Sequence, residues 1–146
     1  MRPRTEARIR ERGITLPALP APAKTVGNLV FLAGVISTGP EGVITGTAGL
    51  DRTVEEAYRA ARACALTHLA ILEGHLGSLE EIKGIVSVNG YVQAIPGFPD
   101  TPKVINGATD LFVEPLGEST RHVRAANGVS ALPRNALVEL QMTVEI

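Results

Sequence analysis

The sequence predicts an α+β fold in which two helices lie on one face of a mixed sheet. Three observations carry that expectation. Residues 53–76 have the spacing and end signals of a long amphipathic helix, residues 82–94 alternate as a strand, and the last 25 residues hold two more strand patterns around Leu132-Pro133-Arg134-Asn135. With two strands before the first helix, the order is strand, strand, helix, strand, helix, strand, strand.

Taken in order, residues 5–12 (TEARIRER) combine good helix formers with alternating charge. Gly13 is placed to end a short surface helix whose apolar stripe, Ala7 and Ile9, is thin. Pro17, Pro20 and Pro22 each remove a backbone donor, so residues 16–23 read as an extended lead-in to the sheet. Gly27-Asn28 separates two runs of β-branched and aromatic residues. Residues 29–36 (LVFLAGVI) read as a buried strand in which Gly34 marks a bulge or a close backbone approach. Gly39, Gly42, Gly46 and Gly49 make residues 37–50 a flexible connection.

The long helix opens on Thr53 and Glu56, a capping-box pair that satisfies two orphan donors, and Glu55 and Glu56 suit the positive end of its dipole. Val54, Ala57, Tyr58, Ala61, Ala65, Leu69, Leu72 and Leu76 form its stripe, with alanines small enough for close packing on a sheet, and Gly77 ends it. Cys64 and His68, four apart, can meet, although a half-buried thiol and a surface imidazole are the plainer expectation. In residues 82–94, Asn89, Tyr91 and Gln93 alternate onto one face. Pro96, Gly97, Pro99 and Pro102 punctuate a loop that rims any cleft. A second helix over residues 102–116 then takes Pro102 in its first turn, buries Val104, Ile105, Ala108, Leu111 and Phe112, and closes at Gly117.

Residues 122–146 read as a hairpin turning at Pro133-Arg134. Symmetric pairing puts Arg124, Ala126, Gly128 and Ser130 on one face with Leu137, Glu139, Gln141, Thr143 and Glu145; Val138, Leu140, Met142, Val144 and Ile146 take the core face. The first face is polar or small, leaving room above the sheet for a ligand or a second copy of the chain. In that register Arg124 and Glu139 stand roughly 13 Å apart at ~3.3 Å per residue, too far for a salt bridge within one hairpin. They can hold opposite ends of a small molecule or converge at a subunit boundary. A guanidinium offers a two-pronged donor to a planar carboxylate, and a glutamate can orient and activate a water.

The length fits one domain, 1–146, with residues 1–25 as helix and proline-rich lead-in and 26–146 as core. A net charge of −1 provides no field to gather nucleic acid or an anionic membrane, and 3% aromatic residues leave little for base stacking. The single cysteine excludes an internal disulfide, and His68, His75 and His122 show no ligand spacing, so no metal is expected. No apolar stretch follows the N-terminal arginines as a signal or span would require; a cytoplasmic protein is expected.

The chain resembles the RidA/YjgF family, also called the reactive intermediate deaminase or endoribonuclease L-PSP family, over about residues 26 to 146. The resemblance rests on Gly27-Asn28-Leu29 leading to Gly34, the alanine-rich helix, Asn106 in the second helix, and Arg124 through Leu132-Pro133 to Val138-Glu139. The N-terminal extension is similar to that of longer members without a defined substrate. The resemblance implies a chorismate-mutase-like fold and a homotrimer, sheets inside and helices outside, with ligand clefts between subunits. It further implies that Arg124 grips the carboxylate of a 2-imino or 2-enamino acid while Glu139 helps water attack the imine carbon, with no cofactor. The backbone at Gly34 and Ala126 would line the cleft, with Tyr91 and Asn106 as further substrate contacts.

Two positions depart from the family pattern. Ala126 stands where a cysteine usually follows the arginine by two, and residues 19–22 lack the tyrosine of a Gly-Pro-Tyr element, for which Tyr91 or Tyr58 can substitute in space. Three functions follow: imine deaminase, trimeric carrier or sensor of a small carboxylate without turnover, and ribonuclease, against which charge and aromatic content speak.

Overall fold

The structure, a computed structural model, describes residues 5–16 and 23–146. The expected extended run around Pro17, Pro20 and Pro22 lies outside the described residues, as does the 19–22 region. A mixed sheet carries its helices on one face, the architecture the sequence predicts. It is built from β1 (Ala23–Val26), β2 (Leu29–Leu32), β3 (Val35–Ile36), β6 (Gly84–Gln93), β7 (Val123–Val129) and β8 (Val138–Glu145). The strand order is β1-β2-β8-β6-β7, with β3 also paired to β8. The remaining strands, β4 (Thr38–Gly39) and β5 (Gly42–Val43), form a small separate hairpin.

Gly27 has φ +61° between β1 and β2, matching the two-residue hairpin turn that wants glycine first. The run expected as one strand over residues 29–36 is broken at Ala33-Gly34, where β2 ends and β3 begins. Four residue steps from Phe31 to Val35 face three from Thr143 to Leu140, so one extra residue bulges out. That strand is also only half-buried, because Phe31 stays on the uncovered face. Residues 37–50 are not a loose connection: the β4–β5 hairpin takes the first part. In the second, the Gln93 side chain donates to Gly46 O at 2.9 Å.

The long helix, α2 (Val54–Leu76), has the predicted capping box at Thr53 and a left-handed Gly77 cap at φ +82°. Its small buried side, Ala57, Ala60, Ala61, Cys64 and Ala65, lets it lie close on the sheet. The second long helix, α3 (Thr101–Leu116), crosses α2 at Gly107, where any Cβ would collide with the Tyr58 carbonyl. At Gly90 the Ile105 side chain of α3 fills the space over β6. The N-terminal helix, α1 (Thr5–Glu11), is docked more firmly than its thin stripe suggests. Thr5 and Ile9 are buried, and Glu6 receives the Leu79 N–H at 3.1 Å while its own N–H reaches Glu80 at 2.9 Å.

The terminal hairpin does not form. β7 pairs parallel to β6, Val88 opposite Arg124, and β8 pairs antiparallel to the other edge of β6, Tyr91 opposite Glu139. A parallel neighbour needs a crossover, and α3 supplies it between β6 and β7. The reversal at residues 133–135 is real, with Arg134 and Asn135 at φ +56° and +58°, but it carries the chain past β6 rather than folding two strands together. The alternation of β8 holds: Val138, Leu140, Met142 and Val144 are buried under the helices.

Cys64 and His68 are both fully buried, which corrects the expected surface imidazole. Burial pushes His68 down to about 4, opposed by its bond to Ala33 O. Below its unfolded value the unfolded chain takes up a proton that native His68 refuses. The native state is thus unpenalised above about pH 6.5 and loses stability as pH falls toward 4, by about 3 kcal/mol at most. Denaturant unfolding across that window should show a pH slope that is reduced in His68→Leu; equal slopes would remove His68 as its source. Gly107→Ala should destabilise by more than about 2 kcal/mol, because backbone must move, and a wild-type melting temperature would show that α2 and α3 can part.

Candidate functional site

Because side chains alternate along a strand, Val88 and Tyr91, three apart on β6, face opposite sides of the sheet. Their neighbours inherit that split. Arg124, beside Val88, lies on the helix side at the outer edge, whereas Glu139, beside Tyr91, lies on the uncovered side. Two strand spacings and three residue steps put their Cα atoms roughly 14 Å apart. The shared face expected from a hairpin therefore does not exist within one chain.

On the uncovered side, Glu139, Gly34 and Tyr91 come together. A Cβ built on Gly34 would stand 2.9 Å from Glu139 Oε2, so only glycine leaves that carboxylate its place. Tyr91 is the cross-strand partner of Glu139, and Asn89 donates to Gln141 Oε1 at 3.0 Å one step along. Gln141 in turn donates to Leu32 O at 3.0 Å, tying β8 to the chain just before the bulge.

Arg124 is held at the other station. Its Nη1 donates to Thr109 Oγ1 at 3.0 Å and its Nη2 to Pro102 O at 3.3 Å, both on α3. His122 extends the chain of bonds: its Nδ1–H donates to Thr120 O at 2.7 Å, leaving Nε2 to accept the Thr109 hydroxyl at 3.1 Å. Burial holds the His122 imidazole below its ordinary range, and the nearby Arg124 charge adds to that, so the neutral ring that this pattern requires is favoured. Phe112 packs edge-on against the ring at 6.1 Å. The guanidinium is exposed, so a carboxylate can reach it.

The other expected contacts stay on the helix side. Ala126 O accepts the Thr101 hydroxyl at 2.9 Å and Gly128 faces Thr101 and Ala94 at ordinary contact distance, so these small residues of β7 lie beside the start of α3. Asn106 lies on α3, the layer opposite Glu139. Tyr58 is engaged elsewhere: its hydroxyl donates to Asp110 at 2.7 Å, a bond that pushes the phenol up to about 12. The Thr109–His122 pair was missed because it joins residues 13 apart through tertiary packing. His68 did carry a signal, lying three and seven residues beyond Ala65 and Ala61 on the buried stripe.

Among the described residues, two of the larger open clefts lie elsewhere. One of about 650 Å³ sits between the β4–β5 hairpin and the start of α2, with Arg52, Glu56 and Arg59 on its wall. The other, about 620 Å³, lies among Thr47, Phe98 and Ser130. Neither contains Arg124 or Glu139. Among the described residues no group of three His, Cys, Asp or Glu is placed to hold a metal ion, and no helix is long and apolar enough to cross a membrane.

Residues 16–146 match the family described as "YjgF/chorismate mutase-like, putative endoribonuclease". The crystal structure of Atu1372 from Agrobacterium tumefaciens, a protein of unknown function, is 41% identical, with 97% of this chain and 93% of that chain covered and a TM-score of 0.90. Protein TCP17 of Trypanosoma cruzi is 37% identical over 151 residues, 98% of this chain and 94% of that protein. Yeast Mmf1, 20% identical over 88% of this chain and 91% of its own, shares the fold at a TM-score of 0.60. With sequence and backbone in agreement over nearly its whole length, the chain belongs to the YjgF/chorismate mutase-like family.

Proposed function

We propose that the protein is a cofactor-free hydrolytic deaminase of small 2-imino or 2-enamino carboxylates, acting as a homotrimer with its clefts between subunits. The observation that carries this reading is the Glu139 carboxylate set against the Gly34 backbone and beside Tyr91 on an uncovered sheet face. Arg124 at the sheet edge supplies the carboxylate clamp. One chain cannot bring these two groups to one small substrate, but the edge of one copy set against the open face of another can. Val26, Phe31 and Val123, 53%, 43% and 72% exposed on that face, favour such a covering.

In the cleft, Arg124 binds the substrate carboxylate through its two-pronged donor while Glu139 accepts a proton from water. The water oxygen bonds to C2 of the iminium carboxylate and the C=N electron pair moves to nitrogen. Glu139 then returns the proton to nitrogen, the C–N bond breaks as the new hydroxyl becomes C=O and passes its proton to the departing ammonia, and a 2-oxo acid and ammonium leave. A second reading, a trimeric carrier of small carboxylates without turnover, draws on Tyr58, which is tied to Asp110 and cannot stand in for the absent family tyrosine. The net charge of −1 and 3% aromatic content weigh against RNA as substrate.

Ammonia release from freshly generated 2-iminobutanoate should exceed the buffer rate and fall by about 10²-fold or more in Glu139→Ala. Arg124→Lys keeps the charge and loses the fork, so kcat/KM should drop about tenfold or more. Wild-type activity in Arg124→Lys would sink the clamp. Absence of turnover together with saturable binding of 2-oxobutanoate would transfer the site to the carrier reading. Sedimentation should give the mass of three chains, and a monomer would defeat the shared cleft.

A further inference from the structure

We propose that His68 is a positioning residue for the Glu139 site: it holds the Ala33–Gly34 peptide so that the Gly34 N–H faces out beside Glu139 as a donor to a substrate oxygen. The chemical part rests on the deaminase reading; the geometric part does not.

His68 has no exposed surface and projects from α2 into the underside of the bulge, where its Nε2 lies 3.1 Å from Ala33 O. A carbonyl only accepts, so Nε2 carries the hydrogen. Among the described residues no peptide is cis, and in a trans peptide the C=O and the next N–H point in opposite directions. Turning Ala33 O inward to His68 therefore turns Gly34 N–H outward, to the side where Glu139 lies 2.9 Å from the position of a Gly34 Cβ. Among the described residues neither Ala33 nor Gly34 has a partner in the sheet register to fix that orientation instead.

The neighbouring carbonyls are fastened too. Cys64, one turn earlier on α2, sets its thiol 3.6 Å from Val35 O, and Gln141 holds Leu32 O from the opposite face. Two consecutive turns of one helix thus grip the bulge on both sides of Gly34. The other ring nitrogen of His68, Nδ1, is buried and has no hydrogen-bond partner among the described residues. A hydrocarbon of similar volume would fill the space without desolvating that atom, so the use of an imidazole here is the one bond it makes.

The test compares wild type with His68→Leu, which removes the donor, and His68→Gln, whose amide nitrogen has about the same reach; His68→Met replaces Leu if that variant does not fold. In folded protein, the expected result is a displaced Gly34 amide resonance and a kcat for 2-iminobutanoate reduced about tenfold or more in His68→Leu, with both largely restored in His68→Gln. An unmoved Gly34 resonance in the apolar variant, or a glutamine variant no better than it, overturns the proposal. If the wild type shows no turnover the deaminase reading fails separately, and titration with propanoate decides the geometry. A Gly34 shift in wild type and His68→Gln that is lost in the apolar variant supports it. An equal shift in all three, or none in wild type, overturns it.

Discussion

Everything in this fold depends on β6 having both of its edges paired. Its parallel bond to β7 requires α3 as the crossover, and its antiparallel bond to β8 brings the C-terminal strand into the middle of the sheet. Gly90 on β6 lets Ile105 approach, and Gly107 on the same helix lets α3 press against α2. One glycine sets the helix-to-sheet distance and the other the helix-to-helix distance. The helix layer is close-packed because both are free of side chains.

The same strand distributes the chemistry. Residues 88 and 91 face opposite ways, so Arg124 is delivered to the helix side and Glu139 to the open side. Each station is then fixed by its own hydrogen bonds: Arg124 by Thr109 and Pro102 O, with His122 behind them, and the Glu139 surroundings by the bulge that α2 holds from below. The interior between the stations is kept neutral. Burial, with the Glu139 charge as the second cause, pushes the Cys64 thiol far up, so it serves as a weak donor rather than a nucleophile.

In the proposed function, Arg124 and Glu139, split between the faces of one sheet, serve a small ligand only when another copy of the chain joins the faces. In the proposed trimer, the second copy that covers Phe31 and Val123 is also the one that would bring an arginine toward Glu139. The exposed position of Arg124 is what such an arrangement requires.

By itself the sequence determined the long helices and their ends. Thr53 with Glu56, Gly77, Gly27-Asn28 and the bulge marked by Gly34 act through bonds and dihedral limits within a few residues, and each stands as read. It also determined the inner face of β8, since alternation is a local property, whereas the grouping of Glu139, Gly34 and Tyr91 came from the strand register. Only the tertiary structure decided which strands pair. The turn at residues 132–135 has the same local chemistry whether it closes a hairpin or carries the chain past another strand, and the choice was made by the free edges of β6 and the path of α3. That choice turned Arg124 to the other face. It also buried His68, because an imidazole on an alanine-rich stripe is core or surface according to what lies above it.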